Sequence, residues 1–163
     1  MPAITRLGTN AITALPAGVG GKVLQVIHSS YDAYTTTNST SYITSNITAT
    51  ITPTSSSNKI LILTNILGVG ASTAMDNARY KLVRNDTTDL KEFDDIAGYS
   101  NSAATQALSS HFNYLDSPSA TTEIRYRIYW KMRSGTSVFF NNYAGADNVT
   151  TSTMTLMEIK AWL

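Results

Sequence analysis

The chain has 163 residues, enough for one domain that closes its own hydrophobic core. Its 12 basic and 11 acidic residues leave a net charge of +1, which argues against a nucleic-acid binder, since such a protein needs a concentrated basic face. Cysteine is absent, so disulfides, thiolate metal sites and cysteine nucleophiles are excluded together.

About a quarter of the residues are Ser or Thr, and only 14% are charged. Thr, Ile, Val and Tyr suit a pleated, half-buried surface, while Asn, Ser and Gly suit the turns between strands. The composition therefore favours an all-β chain before any pattern is read. No stretch reaches the length of a membrane span, and the first residues lack the basic and apolar regions of a signal peptide. The expectation is a protein made in a reducing cytoplasm, with no membrane partner. Four Asn-x-Ser/Thr triplets, at Asn38, Asn46, Asn85 and Asn148, are read as by-products of Ser/Thr richness.

In chain order, residues 1–21 stand apart. They hold Pro2, Pro16 and the Gly18-Val19-Gly20-Gly21 run, and read as an extended N-terminal arm with a hinge. Ile4, Leu7, Ile12 and Leu15 are wasted in solution but useful if the arm docks on a neighbour, so they are candidate assembly contacts. Residues 22–163 form the second region, in which the hydrophobic period is two.

Lys22–Tyr31 is an apolar-rich strand. Over Ser41–Thr52, Ile43, Ile47, Ala49 and Ile51 share one face, and Tyr42, Thr44, Asn46, Thr48 and Thr50 share the other. Residues 53–58 turn the chain. Lys59–Leu67 is apolar on both faces, which predicts a central strand covered on both sides. Ala78–Arg84 alternates, with Tyr80 and Leu82 opposite Arg79, Lys81 and Val83. Residues 85–89 turn, and a short strand is expected over Leu90–Phe93. Residues 94–105 read as a surface loop.

Ala107–Leu115 puts Leu108, Phe112 and Tyr114 on one side. Thr121–Arg133 is the strongest strand, with Ile124, Tyr126, Ile128, Trp130 and Met132 on its apolar face. Ser134-Gly135-Thr136 is a tight hairpin signal into Ser137–Tyr143. Thr151–Leu163 closes the chain with a strand carrying Met154, Leu156, Met157, Ile159 and Trp162. Eight or nine strands with no amphipathic helix imply an antiparallel β-sandwich, jelly-roll-like, although the sequence does not separate a jelly roll from other sandwich topologies.

Chemistry is sparse. His28 and His111 each lie in a predicted strand, and nothing nearby resembles a nucleophile elbow, so they read as surface or interface residues. Asp86, Asp89, Glu92, Asp94 and Asp95 form an acidic stretch. Paired carboxylates can hydrolyse a glycan and short-spaced oxygens can hold calcium, but no EF-hand pattern is present and a solvated loop is the plainer reading. No catalytic residue, metal site or cofactor is expected.

Arg125, Arg127, Tyr129, Lys131 and Arg133 all fall on the polar face of the strongest strand. They read equally as an anion-binding or subunit-contact strip, or as a solvent face whose charge blunts edge pairing. Tyr31, Tyr34, Tyr99 and Tyr143 are exposed aromatics that could face a glycan.

Five segments in order carry a resemblance: residues 21–26 (GKVLQV), 51–62 (ITPTSSSNKILI), 80–85 (YKLVRN), 112–118 (FNYLDSP) and 154–159 (MTLMEI). Together they resemble small virion proteins and tail-fibre end domains of phages, many of them marine cyanophages. The resemblance covers about residues 21–161 and has no catalytic signature to carry over.

It implies a β-sandwich on the outside of a virion, as a homotrimer. Because the chain has a short arm and no fibre shaft, the expectation leans to a capsid decoration or cement protein beside a major capsid protein. The alternative is a tail-fibre or receptor-binding tip, attached through a tail adaptor and gripping host surface glycans.

Overall fold

The structure is a computed structural model that describes residues 23–71, 77–93, 108–142 and 150–161. The arm with Ile4, Leu7, Ile12 and Leu15 lies outside the described residues, as do the loop over 94–105, Asp94, Asp95, Tyr99, Tyr143, Asn148 and Trp162.

Among the described residues all regular structure is strand. The ten strands are β1 (Val23–Tyr31), β2 (Thr35–Thr37), β3 (Ile43–Ile51), β4 (Lys59–Ala71), β5 (Asn77–Arg84), β6 (Thr88–Phe93), β7 (Leu108–Asp116), β8 (Ile124–Ser134), β9 (Val138–Phe140) and β10 (Ser152–Ile159). They form two antiparallel sheets. The first runs β1-β10-β4-β9-β2, with β7 also paired to β4, and the second runs β3-β8-β5-β6. An all-β sandwich-like fold is therefore what the chain makes. The count exceeds the expected eight or nine because β2, a three-residue strand paired to β9, carries no period long enough to read.

The alternation dictates the packing. Ile47, Ala49 and Ile51 of β3, Tyr80 and Leu82 of β5, and Ile124, Tyr126, Ile128, Trp130 and Met132 of β8 all point inward from the second sheet. Ile60, Ile62 and Ile66 of β4 with Met154 and Leu156 of β10 meet them from the first. Trp130 stands edge-on to Phe140 at 4.8 Å between ring centres, and Phe93 of β6 stacks on Phe112 of β7 at 3.9 Å, closing one side of the core. Each fully buried side chain of this size is worth roughly 1.5–3 kcal/mol.

Six expectations change. Ile43, expected on the buried face with Ile47, is 38% exposed, and Val83, expected opposite Tyr80 and Leu82, is buried where β5 slips register against β6. β4 is central, as predicted, but is covered on one face only, and Leu61 and Leu63 look outward. Apolarity on both faces showed that water is unwelcome there, not that this chain supplies the cover. Residues 134–136 do not make a hairpin: β8 pairs β3 and β5, whereas β9 pairs β2 and β4, so the turn crosses between sheets. Gly135, at φ 101°, serves a crossover as readily as a hairpin. Leu108, expected beside Phe112 and Tyr114, is exposed at the start of β7. The last strand ends at Ile159 and does not continue to the end of the chain.

A break in register at Gly68 lets β4 change partners. Its first half pairs β10 and β7, and beyond the break Gly70 and Ala71 pair β9. Gly68 has φ +59°, and a Cβ there would lie 2.4 Å from the Asn142 carbonyl oxygen. Buried Asn141 fills the gap in the ladder. Its backbone N–H donates to Leu67 O at 2.8 Å, its side-chain amide donates to Tyr31 O at 2.8 Å, and its Oδ1 accepts from the Ser152 hydroxyl at 2.5 Å.

Candidate functional site

The outer faces of the two sheets are the large surfaces of the sandwich. The outer face of the second sheet carries the basic row. A turn over Arg84–Thr87 places Asn85 and Asp86 at φ 52° and 58°, as a type I′ turn demands, and Thr87 N–H donates to Arg84 O at 3.2 Å. The turn is tied to β8 by Asn85 N–H to Arg125 O at 2.8 Å and Arg125 N–H to Asn85 Oδ1 at 2.9 Å.

Asp86 thereby sits against the basic row. It pairs with Arg125, with Arg127 at 3.1 Å and with the Tyr129 hydroxyl at 3.2 Å. Partial burial, then the Asp86 charge and the hydrogen bond to it, push the Tyr129 hydroxyl above its ordinary pKa. Further along, Lys81 bonds both Asp89 oxygens at 2.9 and 2.8 Å and lies 4.7 Å from the Tyr42 ring centre. Lys131 covers the same ring at 4.6 Å, and the Tyr42 hydroxyl donates to Glu92. Arg133 stands at the exposed end of the row. The acidic stretch and the basic row are thus one surface network, with Asp86, Asp89 and Glu92 set against the cations. No group of His, Asp and Glu suited to hold a metal occurs among the described residues.

The outer face of the first sheet is different in kind. Strand register lines up Val26, Met157, Leu61 and Leu115 as one row across β1, β10, β4 and β7. Beside it stand Val23, Leu24 and Ile159 at one end and Leu63 on the other side. Val26 is 51% exposed, Leu115 49%, Val23 47%, Leu24 43% and Leu63 38%. Monomeric domains rarely leave so many large apolar groups in contact with water together.

Towards the opposite end the face turns polar, with no Asp, Glu, Lys or Arg pointing outward among the described residues. His28 Nδ1 and Thr155 Oγ1 share a hydrogen bond at 2.9 Å, and His111 Nδ1 and Asn65 Oδ1 share one at 2.8 Å. Both histidines are exposed, and neither bonds a carboxylate among the described residues. Lys59 is the one charged side chain pointing outward from these four strands among the described residues.

Two buried carboxylates hold these faces in place, and composition did not flag either one. Glu158, fully buried at the inward position after Met154 and Leu156, accepts from Thr54 N–H at 2.7 Å, Thr54 Oγ1 at 2.8 Å, Asn58 Nδ2 at 2.6 Å and Gln25 Nε2 at 2.7 Å. Burial by itself raises its pKa, but the donors from Gln25, Asn58 and Thr54 outweigh burial and hold it below the ordinary carboxylate value.

Asp116 of β7 receives Arg84 Nη1 at 2.9 and 2.7 Å and the Tyr126 hydroxyl at 2.7 Å, joining the two sheets. Burial and then that hydrogen bond raise the Tyr126 hydroxyl. Gln25, residues 51–62 and residues 154–159 meet at Glu158, and residues 80–85 and 112–118 meet at Asp116. The signal was a carboxylate placed at an inward position of each strand.

Of the exposed aromatics, Tyr34 is 51% exposed and packs on Phe139 at 5.9 Å, whereas Tyr31 is half-buried and bonded to Thr35 and Asn46. No helix among the described residues is long and apolar enough to cross a membrane. No family model matches the chain, and no curated protein matches it.

Proposed function

We propose that the protein is a non-enzymatic structural subunit on the outside of a phage particle, most plainly a homotrimeric capsid decoration protein that stabilises the shell. The observation that carries this reading is the outer face of the first sheet, with its row of Val26, Met157, Leu61 and Leu115 in water and almost no charge around it. A buried contact with another protein removes that cost, and apolar area is the main driving force for such contacts. Closed symmetry governs most homo-oligomers, and a trimer suits shell sites of local three-fold symmetry.

The same reading takes the strand orders β1-β10-β4-β7 and β3-β8-β5-β6 as those of a jelly roll, a fold of two interleaved Greek keys. The five segments add to it, because they are the residues that build the two carboxylate clusters holding the sheets together. Tyr34 on Phe139 favours a second reading, a tail tip that grips host surface glycans through exposed rings.

The test is the mass of the purified protein by light scattering, beside its binding to particles that lack it. A trimer that binds shells supports decoration. A trimer that ignores shells and adheres to host cells moves the protein to the tail. A stable monomer overturns both.

A further inference from the structure

The apolar corner of the first sheet needs an occupant, and the chain itself holds a suitable one. Val23 opens β1 at that corner, paired with Ile159 and next to Leu24, so the described chain begins at the apolar end of the face. The 22 residues before it carry Ile4, Leu7, Ile12 and Leu15 and a single charged side chain, Arg6, before the glycines at 18, 20 and 21 and then Lys22. An apolar face whose one charged side chain is Lys59 and an apolar segment whose one charged side chain before the glycines is Arg6 match in chemistry.

Length decides between a chain's own face and that of its neighbour. Four strands at about 4.8 Å spacing make the corner about 14 Å wide. Ile4 and Leu15 stand 11 positions apart, about 36 Å in extended chain, so one corner cannot take all four apolar residues in line. An extended arm is therefore long enough to reach a second copy.

We infer that the apolar outer face of the first sheet binds the N-terminal segment of an adjacent copy, with Ile4 and Leu7 seated near Leu61 and Leu63. This inference rests on the assembly reading above and names the partner of its contact face. Exchange of arms ties each copy to the next.

The absence of native cysteine makes the test clean. Two differently tagged chains, one carrying Leu7→Cys and the other Leu63→Cys, are co-expressed and treated with a short bis-maleimide. The expected result is a covalent product containing both tags, identified by mass spectrometry. A third chain carrying both substitutions is the control: a cross-link that forms solely within that chain, with none between the two single variants, overturns exchange. An oligomer with no cross-link overturns the occupancy and leaves the assembly reading standing, whereas a monomer of native sequence sinks both.

A second readout needs no cysteine. In the oligomer, deletion of residues 1–17 should speed peroxide oxidation of Met157, which lies in the row the arm would cover, several-fold against the full chain. An unchanged rate counts against the inference.

Discussion

The two outer faces follow one rule and end as opposites. Both come from strands of period two, with alternate side chains turned from the core. On the second sheet the outward residues are long and ionised, and Asp86, Asp89, Glu92 and Tyr42 engage them within the chain. On the first sheet they are Val, Leu, Ile and Met with Lys59 at one end and Thr, Asn and His at the other, and nothing among the described residues covers the apolar ones. A polar face can complete its bonding with its own turn residues or with water. An apolar face is completed by a second surface, which is why this one carries the functional argument.

The comparison breaks first if the frame beneath the faces fails. Asp116→Ala leaves the Arg84 guanidinium and the Tyr126 hydroxyl without their carboxylate at the junction of the sheets. The expected loss is about 3–5 kcal/mol, the range for one partner removed from a buried pair, read by urea unfolding. A loss under about 1 kcal/mol would show that the sheets are held by apolar packing alone.

Glu158→Gln comes next. It keeps the shape but replaces a charge that four donors address, costing about 1.5–3 kcal/mol at neutral pH. The folded carboxyl titrates below the ordinary value of 4.5, so the folded state holds its proton less readily than the unfolded chain. Its contribution is complete above that ordinary value and is lost as pH falls through the lower folded value. Melts between pH 7 and pH 3 should therefore bring native and variant proteins together at the acid end. A gap that stays constant or widens there contradicts the assignment.

Much of this was legible in sequence because alternation is a local signal. The buried faces of β3 from Ile47 and of β8 from Ile124, and Tyr80 and Leu82 of β5, follow the alternation, which fails at Val83, where β5 slips register against β6. What escaped depends on distant partners. Leu61 and Leu63 read as covered because hydropathy records a preference and not the presence of a neighbour. Residues 134–136 read as a hairpin because the same turn chemistry serves a crossover. The basic row was visible, but its pairing with Asp86 depends on a turn 39 positions away from Arg125. Glu158 stands out in an apolar strand, yet its partners Thr54 and Asn58 lie 104 and 100 positions earlier.

A smaller effect sharpens the contrast from the charged side. Asp86→Ala frees Arg125 and Arg127 and drops the Tyr129 hydrogen bond. These groups are partly in water, so the network is worth only about 0.5–1 kcal/mol, and less in high salt. The oligomer mass should not change. If it does, the basic row is a subunit contact after all.

The smallest effect on folding should accompany the largest effect on assembly. Val26→Ser and Leu115→Ser alter side chains about half in water already, at opposite ends of one cross-strand row. Each should cost the isolated fold under about 0.5 kcal/mol. If a partner covers the row, each removes apolar contact worth about 1–1.5 kcal/mol, or roughly a tenfold weaker association per site. Light scattering across a dilution series should show the variants dissociating at concentrations where the native chain stays assembled. Lys131→Ser, on the opposite face, is the control and should behave as native. The reverse pattern, with Lys131→Ser dissociating and the two serine variants on the first sheet intact, would exchange the roles of the faces and leave the apolar row without a function.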